Sequence, residues 1–169
     1  LMNDPIDEFW PQVLPNYKGY AVKHVSQADV DMSWKRQEKK ADDGSMTKLC
    51  EMLKEVLKEE VGTVSVTEKL TTSPVSLTVE NGQMSLHLER LMRTHQQQTA
   101  FASTRILELN PYHPLIIKLS EMTADETNKP KIEEIGKILL DQAKVAEGET
   151  VSDPSFYAEK ISDYILKAI

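Results

Sequence analysis

The chain has 169 residues, with 20 Lys and Arg against 27 Asp and Glu, for a net charge of −7 at pH 7. That length suits one domain, or one domain with a fragment of another, and buries about 70% of the surface the unfolded chain exposes. The acidic balance argues against nucleic acid as the main partner, and no apolar run nears the roughly 20 residues that cross a bilayer.

Asp4-Pro5 opens a short helix carrying Ile6, Phe9, Trp10, Val13 and Leu14, limited by Pro11 and ended by Pro15. A turn at Asn16–Gly19 leads to a strand-like Tyr20–Val25. These pieces are too small for a core of their own and must lean on something else. The polar stretch SQADVDMSWKRQEKKADDG, residues 26–44, reads as a linker that turns helical around Trp34–Lys40, with a domain boundary near residue 33.

From Met46 to Val61 the apolar residues Met46, Leu49, Cys50, Leu53, Val56, Leu57 and Val61 recur at helical spacing, with Ser45 as a cap and Gly62 as a stop. Alternation predicts strands at Val64–Leu70 and Val75–Val79, separated by a turn at Thr71–Pro74. Asn81-Gly82 is a strong turn signal, and residues 83–97 are helical in pattern. A third strand, Thr104–Leu109, enters RILELNPYHPLIIKL, residues 105–119. There Asn110 has the chemistry of a helix cap and Pro111 fits a first helical position, so the segment reads as a strand-to-helix junction. His113 is placed to help the helix start. A helix over Pro114–Met122 and two longer ones, about 130–147 and 154–168, close the chain, the last announced by Ser152-Asp153-Pro154. The fold class is α+β: a small three-stranded sheet with flanking helices.

Two faces stand out. Met84, Leu88, Leu91, Met92 and His95 form one narrow stripe of the helix at 83–97, from which Leu86 falls away. Such a stripe normally packs on a sheet, yet flexible Met and Leu also suit surfaces that accept many partners. The closing helices carry seams at Ile132, Ile135, Leu139, Ala143 and Ala146, and at Tyr157, Ile161, Tyr164, Ile165 and Ala168. Arcs this wide can be covered within the chain or by a second copy.

Catalytic readings find little support. His24, His87, His95 and His113 have no paired metal-ligand spacing, and the six glycines form no phosphate loop. No nucleophile stands with a base and an orienting group, so no catalytic or metal residue is assigned. Cys50 lies on an apolar stripe and reads as packing. As the only cysteine it allows no intramolecular disulfide, as in a reducing compartment. The start LMNDPIDEFW lacks the basic region and apolar core of a signal peptide, so a cytoplasmic location is expected.

The junction RILELNPYHPLIIKL resembles a signature of the ninety-kilodalton heat-shock chaperone family in its bacterial HtpG form. IDEFWPQVLPNYKGY, LTTSPVSLTVENGQMSLHLERLM and LLDQAKVAEGETVSDPSFYAEKISDYI resemble the same family in the same order. The resemblance is weakest across Asp29–Asp43. It implies that residues 1–33 end the family's middle domain and linker, and that 34–169 form its C-terminal dimerisation domain. It also implies a homodimer closed by a four-helix bundle of the last two helices, with Ile135, Leu139, Ala143, Tyr157, Ile161, Tyr164 and Ile165 at the interface.

Carried over position by position, client contact falls on Met84, Leu88, Leu91 and Met92, and also on Phe9 and Gln12. Leu88 stands where many relatives have Met, Met92 where some have Phe, and Phe9 and Gln12 where relatives often have Trp and Asn. The expected partners are a second copy and unfolded client proteins, without nucleic acid or membrane. The resemblance puts ATP and magnesium upstream, so this chain is expected to hold no cofactor and not to be an enzyme. Two other readings remain: a stand-alone helical scaffold without chaperone activity, and a small enzyme using His87 or His113.

Overall fold

The structure is a computed structural model that describes residues 14, 16–21, 40–80, 83, 86, 89 and 104–169. The expected helix after Pro5 (apart from Leu14), residues 26–39 of the linker and the boundary near residue 33 lie outside the described residues, as does most of 83–97. The linker's end is structured: Ala41 is buried, and Asp43 and Gly44 already belong to a helix.

Near the start, β1 (Asn16–Tyr17) and β2 (Tyr20–Ala21) form a small antiparallel hairpin. Its central residues Lys18 and Gly19 have φ of 50° and 84°, the left-handed pair that a type I′ turn requires.

α1 runs Asp43–Leu57, three residues ahead of the predicted start. The cap is Asp42 rather than Ser45: Asp42 Oδ2 accepts from the Ser45 N–H at 3.0 Å, and Ser45 Oγ donates back to Asp42 O at 2.9 Å. A carboxylate at that position satisfies a free first-turn donor and meets the positive end of the helix. Met46, Leu49, Leu53 and Leu57 are the buried face. Gly62 does not stop the helix, which ends at Leu57. It lies instead at a tight crossing, where a Cβ would come 2.5 Å from Thr104 Cγ2, and its N–H donates to Arg105 O at 2.9 Å.

The sheet has the order β3-β5-β4, with β3 at Thr63–Val66, β4 at Val75–Val79 and β5 at Arg105–Leu109. β3 runs parallel to β5, pairing Thr63 with Ile106 and Val66 with Leu109. β4 runs antiparallel to it, pairing Val75 with Leu109 and Val79 with Arg105. β3 is shorter than its alternation suggested because β5 ends at Leu109 and offers no backbone partner further on. One face of the sheet gives Leu77, Val79, Leu107 and Leu109 to the core, each at most 1% exposed.

α2 (Pro114–Met122) matches its predicted span, but its cap is His113. His113 Nδ1 accepts from the Leu115 N–H at 3.1 Å. Asn110 serves the loop before it, its Oδ1 accepting from the Tyr112 N–H at 3.1 Å while Nδ2 donates to Ser73 O at 3.0 Å. Proline disfavours helical backbone in the residue before it, so the helix begins at Pro114 and the preceding residue becomes the cap. A 3₁₀ turn, Glu126–Asn128, leads into α3 (Lys129–Ala146), and α4 follows at Pro154–Ala168. Asp153 caps α4 through Oδ1, which accepts from Ser155 and Phe156 N–H groups at 3.0 and 2.9 Å. α3 lies close on α1 because Gly136 has no side chain: a Cβ there would meet Leu53 Cδ2 at 2.4 Å. The expected α+β class is what the structure has, a three-stranded mixed sheet with four helices among the described residues.

Candidate functional site

α4 differs from every other helix described: none of its residues is buried. Ile165 and Leu166 are 58% and 70% exposed, and the terminal Ile169 is 96% exposed. Its local signals are complete, with an aspartate cap, Pro154 at the first helical position and Lys167 in the last turn. Its apolar face is only partly covered, Phe156, Tyr157, Ile161 and Tyr164 being half-buried, and so short a helix is marginal in water without fuller cover.

One acidic residue of α3 pins it. Glu134 Oε2 lies 2.8 Å from Lys160 Nζ, and Glu134 Oε1 accepts from Tyr164 OH at 3.0 Å. The hydrogen bond from Lys160 lowers the Glu134 carboxyl below its ordinary value, and that same bond raises Lys160. Burial and the Glu134 contact raise Tyr164. Exposed ion pairs of this kind contribute little to stability, so Glu134 sets the orientation of α4 more than its strength.

The seven residues expected at a self-association surface divide in two. Tyr157, Ile161 and Tyr164 are half-buried and Ile165 is exposed, all on α4. Ile135 is partly buried against the core. Leu139 and Ala143, at 1% and 2% exposed, belong to the chain's own core, where they leave no surface for a second copy. The seam read along α3 therefore turns largely inward, toward α1 and the sheet.

Met84, Leu88, Leu91, Met92, Phe9 and Gln12 lie outside the described residues. Two neighbours of the stripe are described, and both are buried: Leu86 at 2% and Glu89 at 1% exposed. Leu86, which the stripe left out, joins the hydrophobic core. Glu89 Oε2 accepts from Arg105 Nη2 at 3.3 Å. That nitrogen also donates to Glu149 Oε1 at 2.8 Å, while Arg105 Nε donates to Glu149 Oε2 at 3.3 Å. Burial would lower the Arg105 guanidinium, but Glu149 and Glu89 outweigh it and raise it. Sequence reasoning missed this cluster, although the three-residue spacing of Leu86 and Glu89 puts them on one helical face.

A second polar cluster ties the start of α4 to the turn that follows α1. Lys144 bonds Glu60 and Ser152 and lies 3.8 Å from Asp141 Oδ1, which accepts the Ser152 N–H at 3.0 Å. Burial would raise the Glu60 carboxyl, but hydrogen bonds from Lys144 and Ser152 outweigh it and hold it below its ordinary value. On the far face of the sheet, burial raises Glu108, with Lys69 Nζ at 3.5 Å and Ser76 Oγ at 3.3 Å opposing. Burial, with Glu51 nearby, pushes the Cys50 thiol up to about 11, so it behaves as a small apolar residue at neutral pH. The junction borders an open groove of about 720 Å³ between Thr71, Thr72, Tyr112, His113, Ile117 and Lys118. Among the described residues no group of three or more His, Cys, Asp or Glu could hold a metal, and no helix is long and apolar enough to cross a membrane.

The family model described as "Hsp90 protein" matches residues 1–169. The chain belongs to the Hsp90 family. Its relatives include the chaperone protein HtpG of Wolbachia sp. subsp. Brugia malayi, 34% identical over 178 aligned residues, with all of this chain and 28% of that protein covered. HtpG of Rickettsia bellii is 35% identical and HtpG of Paramagnetospirillum magneticum 36%, each over 177 residues, with all of this chain and 28% of the relative covered. The chain thus spans about 28% of the length of these Hsp90 relatives. Within this Hsp90 segment the sheet, the 105–119 junction and α4 are in place, and α4 has its apolar side only partly covered.

Proposed function

We propose that this chain is the self-associating part of an HtpG-type chaperone and that it also presents an apolar helical stripe to unfolded polypeptides. The observation that carries the first half is the incompletely covered apolar face of α4. Ile165 and Leu166 are exposed on a helix none of whose residues is fully buried, and Tyr157 and Ile161 are only half-buried within their own chain. A second copy related by a two-fold axis covers such a face with the same face. Four helices, α3 and α4 from each copy, then make the bundle, with Ile135 beside the seam and Leu139 and Ala143 supporting it from beneath.

The second half rests on the family and on one geometric support. On a 3.6-residue wheel Met84, Leu88 and Leu91 fall on the side opposite Leu86, while Glu89 flanks Met92. The burial of Leu86 supports reading the stripe as a surface for a partner. Phe9 and Gln12 join the client surface by resemblance alone. An apolar patch of this kind is an aggregation hazard in the open and is safer recessed between two copies.

The glycines of this chain have no phosphate-loop spacing, which supports placing ATP and magnesium outside it. We assign nucleotide chemistry to the remainder of the parent protein and a cytoplasmic location to the whole. The scaffold reading shares the dimer and lacks the client surface.

Sedimentation tests the main reading. The intact chain should be a dimer, and deleting residues 153–169 should leave a folded monomer. An unchanged dimer after the deletion would overturn the bundle.

A further inference from the structure

Arg105 sits where two otherwise separate parts of the chain meet. Glu89 belongs to the connection between β4 and β5 that carries the Met84–Met92 stripe. Glu149 belongs to the loop between α3 and α4, three residues before the first contact that launches α4 at Ser152. Both carboxylates approach the same guanidinium nitrogen, at 3.3 and 2.8 Å. The three side chains are 13%, 2% and 14% exposed for Arg105, Glu89 and Glu149. Screening by water is weak at such depth, so the repulsion between the two carboxylates is felt as well as their attraction to Arg105.

We propose that Arg105 couples the stripe-bearing connection to the loop that positions α4, by making each carboxylate's docking weaken the other's. Docking Glu149 beside an arginine already neutralised by Glu89 gains less than docking it beside an arginine with no other carboxylate. Drawing Glu89 away from the sheet therefore tightens the Arg105–Glu149 fork and holds the 147–153 loop more firmly. That loop is anchored at its other end by Ser152 to Asp141, so its firmness is passed to the capped start of α4. A polypeptide that pulls on the connection strengthens the two-copy interface, and by reciprocity the associated form receives the polypeptide more readily. The coupling itself rests on the described geometry alone. Its consequence for clients and association rests on the function proposed above.

Hydrogen exchange on the full chain separates the two. Glu89→Gln and Glu149→Gln keep side-chain volume and a hydrogen-bonding oxygen while removing charge. In Glu89→Gln, amides of 147–153 should exchange more slowly by roughly threefold or more, the lower end of measured pairwise couplings. In Glu149→Gln, amides around 86–90 should slow by a similar factor. If Glu89→Gln fails to fold, the more exposed Glu149→Gln alone decides the matter. Unchanged or faster exchange at the opposite segment overturns the proposal. In sedimentation, Glu89→Gln should lower the dimer dissociation constant by a similar factor, and an unaltered constant overturns the transmission to α4. A chain that is monomeric in every variant instead defeats the self-association reading, while the exchange data still judge Arg105.

Discussion

Asn110 is 1% exposed and engages both ends of its amide, the oxygen with Tyr112 and the nitrogen with Ser73. Asn110→Ala orphans the Ser73 carbonyl and the Tyr112 N–H and should cost about 1–3 kcal/mol in a urea melt, the usual range for such losses. Gly62→Ala drives a methyl into Thr104 Cγ2, a contact of 2.5 Å, and should cost about 1–3 kcal/mol by the same measurement. Glu60 makes a prediction with a sign in pH. Its folded-state value is lowered from the ordinary 4.5, so it binds protons less readily folded than unfolded. Its contribution to stability is therefore present above 4.5 and is lost as pH falls through the lower folded value. Melts of wild type and Glu60→Gln should differ at pH 7 and converge in acid. A gap that widens in acid would contradict the Lys144–Glu60 assignment.

Among the elements, α2 and α4 were legible to the residue because prolines and caps are written beside them. Pro114 and Pro154 fix first positions whatever the rest of the chain does. The details that escaped are non-local. Asn110 and His113 both precede prolines and both can cap; the choice depends on Ser73, which is far off in sequence and takes the Asn110 amide. The end of β3 depends on the length of β5, and Gly62 on the methyl of Thr104, neither of which the local pattern contains. The α3 seam read as one surface although Leu139 and Ala143 face the core, because periodicity shows an apolar side without naming what covers it. For α4 we assign that covering to a second copy, and a point change tests it. Ile165→Lys places a charge on a 58% exposed position, so it should dissociate the dimer in sedimentation while the cooperative melt of the remaining fold is kept.

At the scale of the whole molecule, the client surface and the fold can be separated by experiment. Replacing Leu88 and Met92 together by Ser should weaken binding of an unfolded polypeptide, read by fluorescence anisotropy, without lowering the melting temperature. A collapsed melt would mean that the stripe is core. Titration calorimetry with Mg-ATP should register no binding to this chain, and measurable heat of binding would relocate the nucleotide site.

The central place of β5 also governs when the fold can exist at all. β3 and β4 are not neighbours in the sheet, and among the described residues each pairs only with β5. A ribosome releases both edge strands well before the strand that joins them, and between them passes the whole connection carrying Glu89. Until residues 105–109 emerge, Leu77 and Val79 have no strand beside them, and α1 has only a partial sheet to cover. Non-local closure of this kind is slow and leaves unpaired edges open to other chains. A segment of a family named for chaperones thus enters the cell as a nascent chain that is itself prone to wrong pairing, and its safe assembly waits on its middle strand.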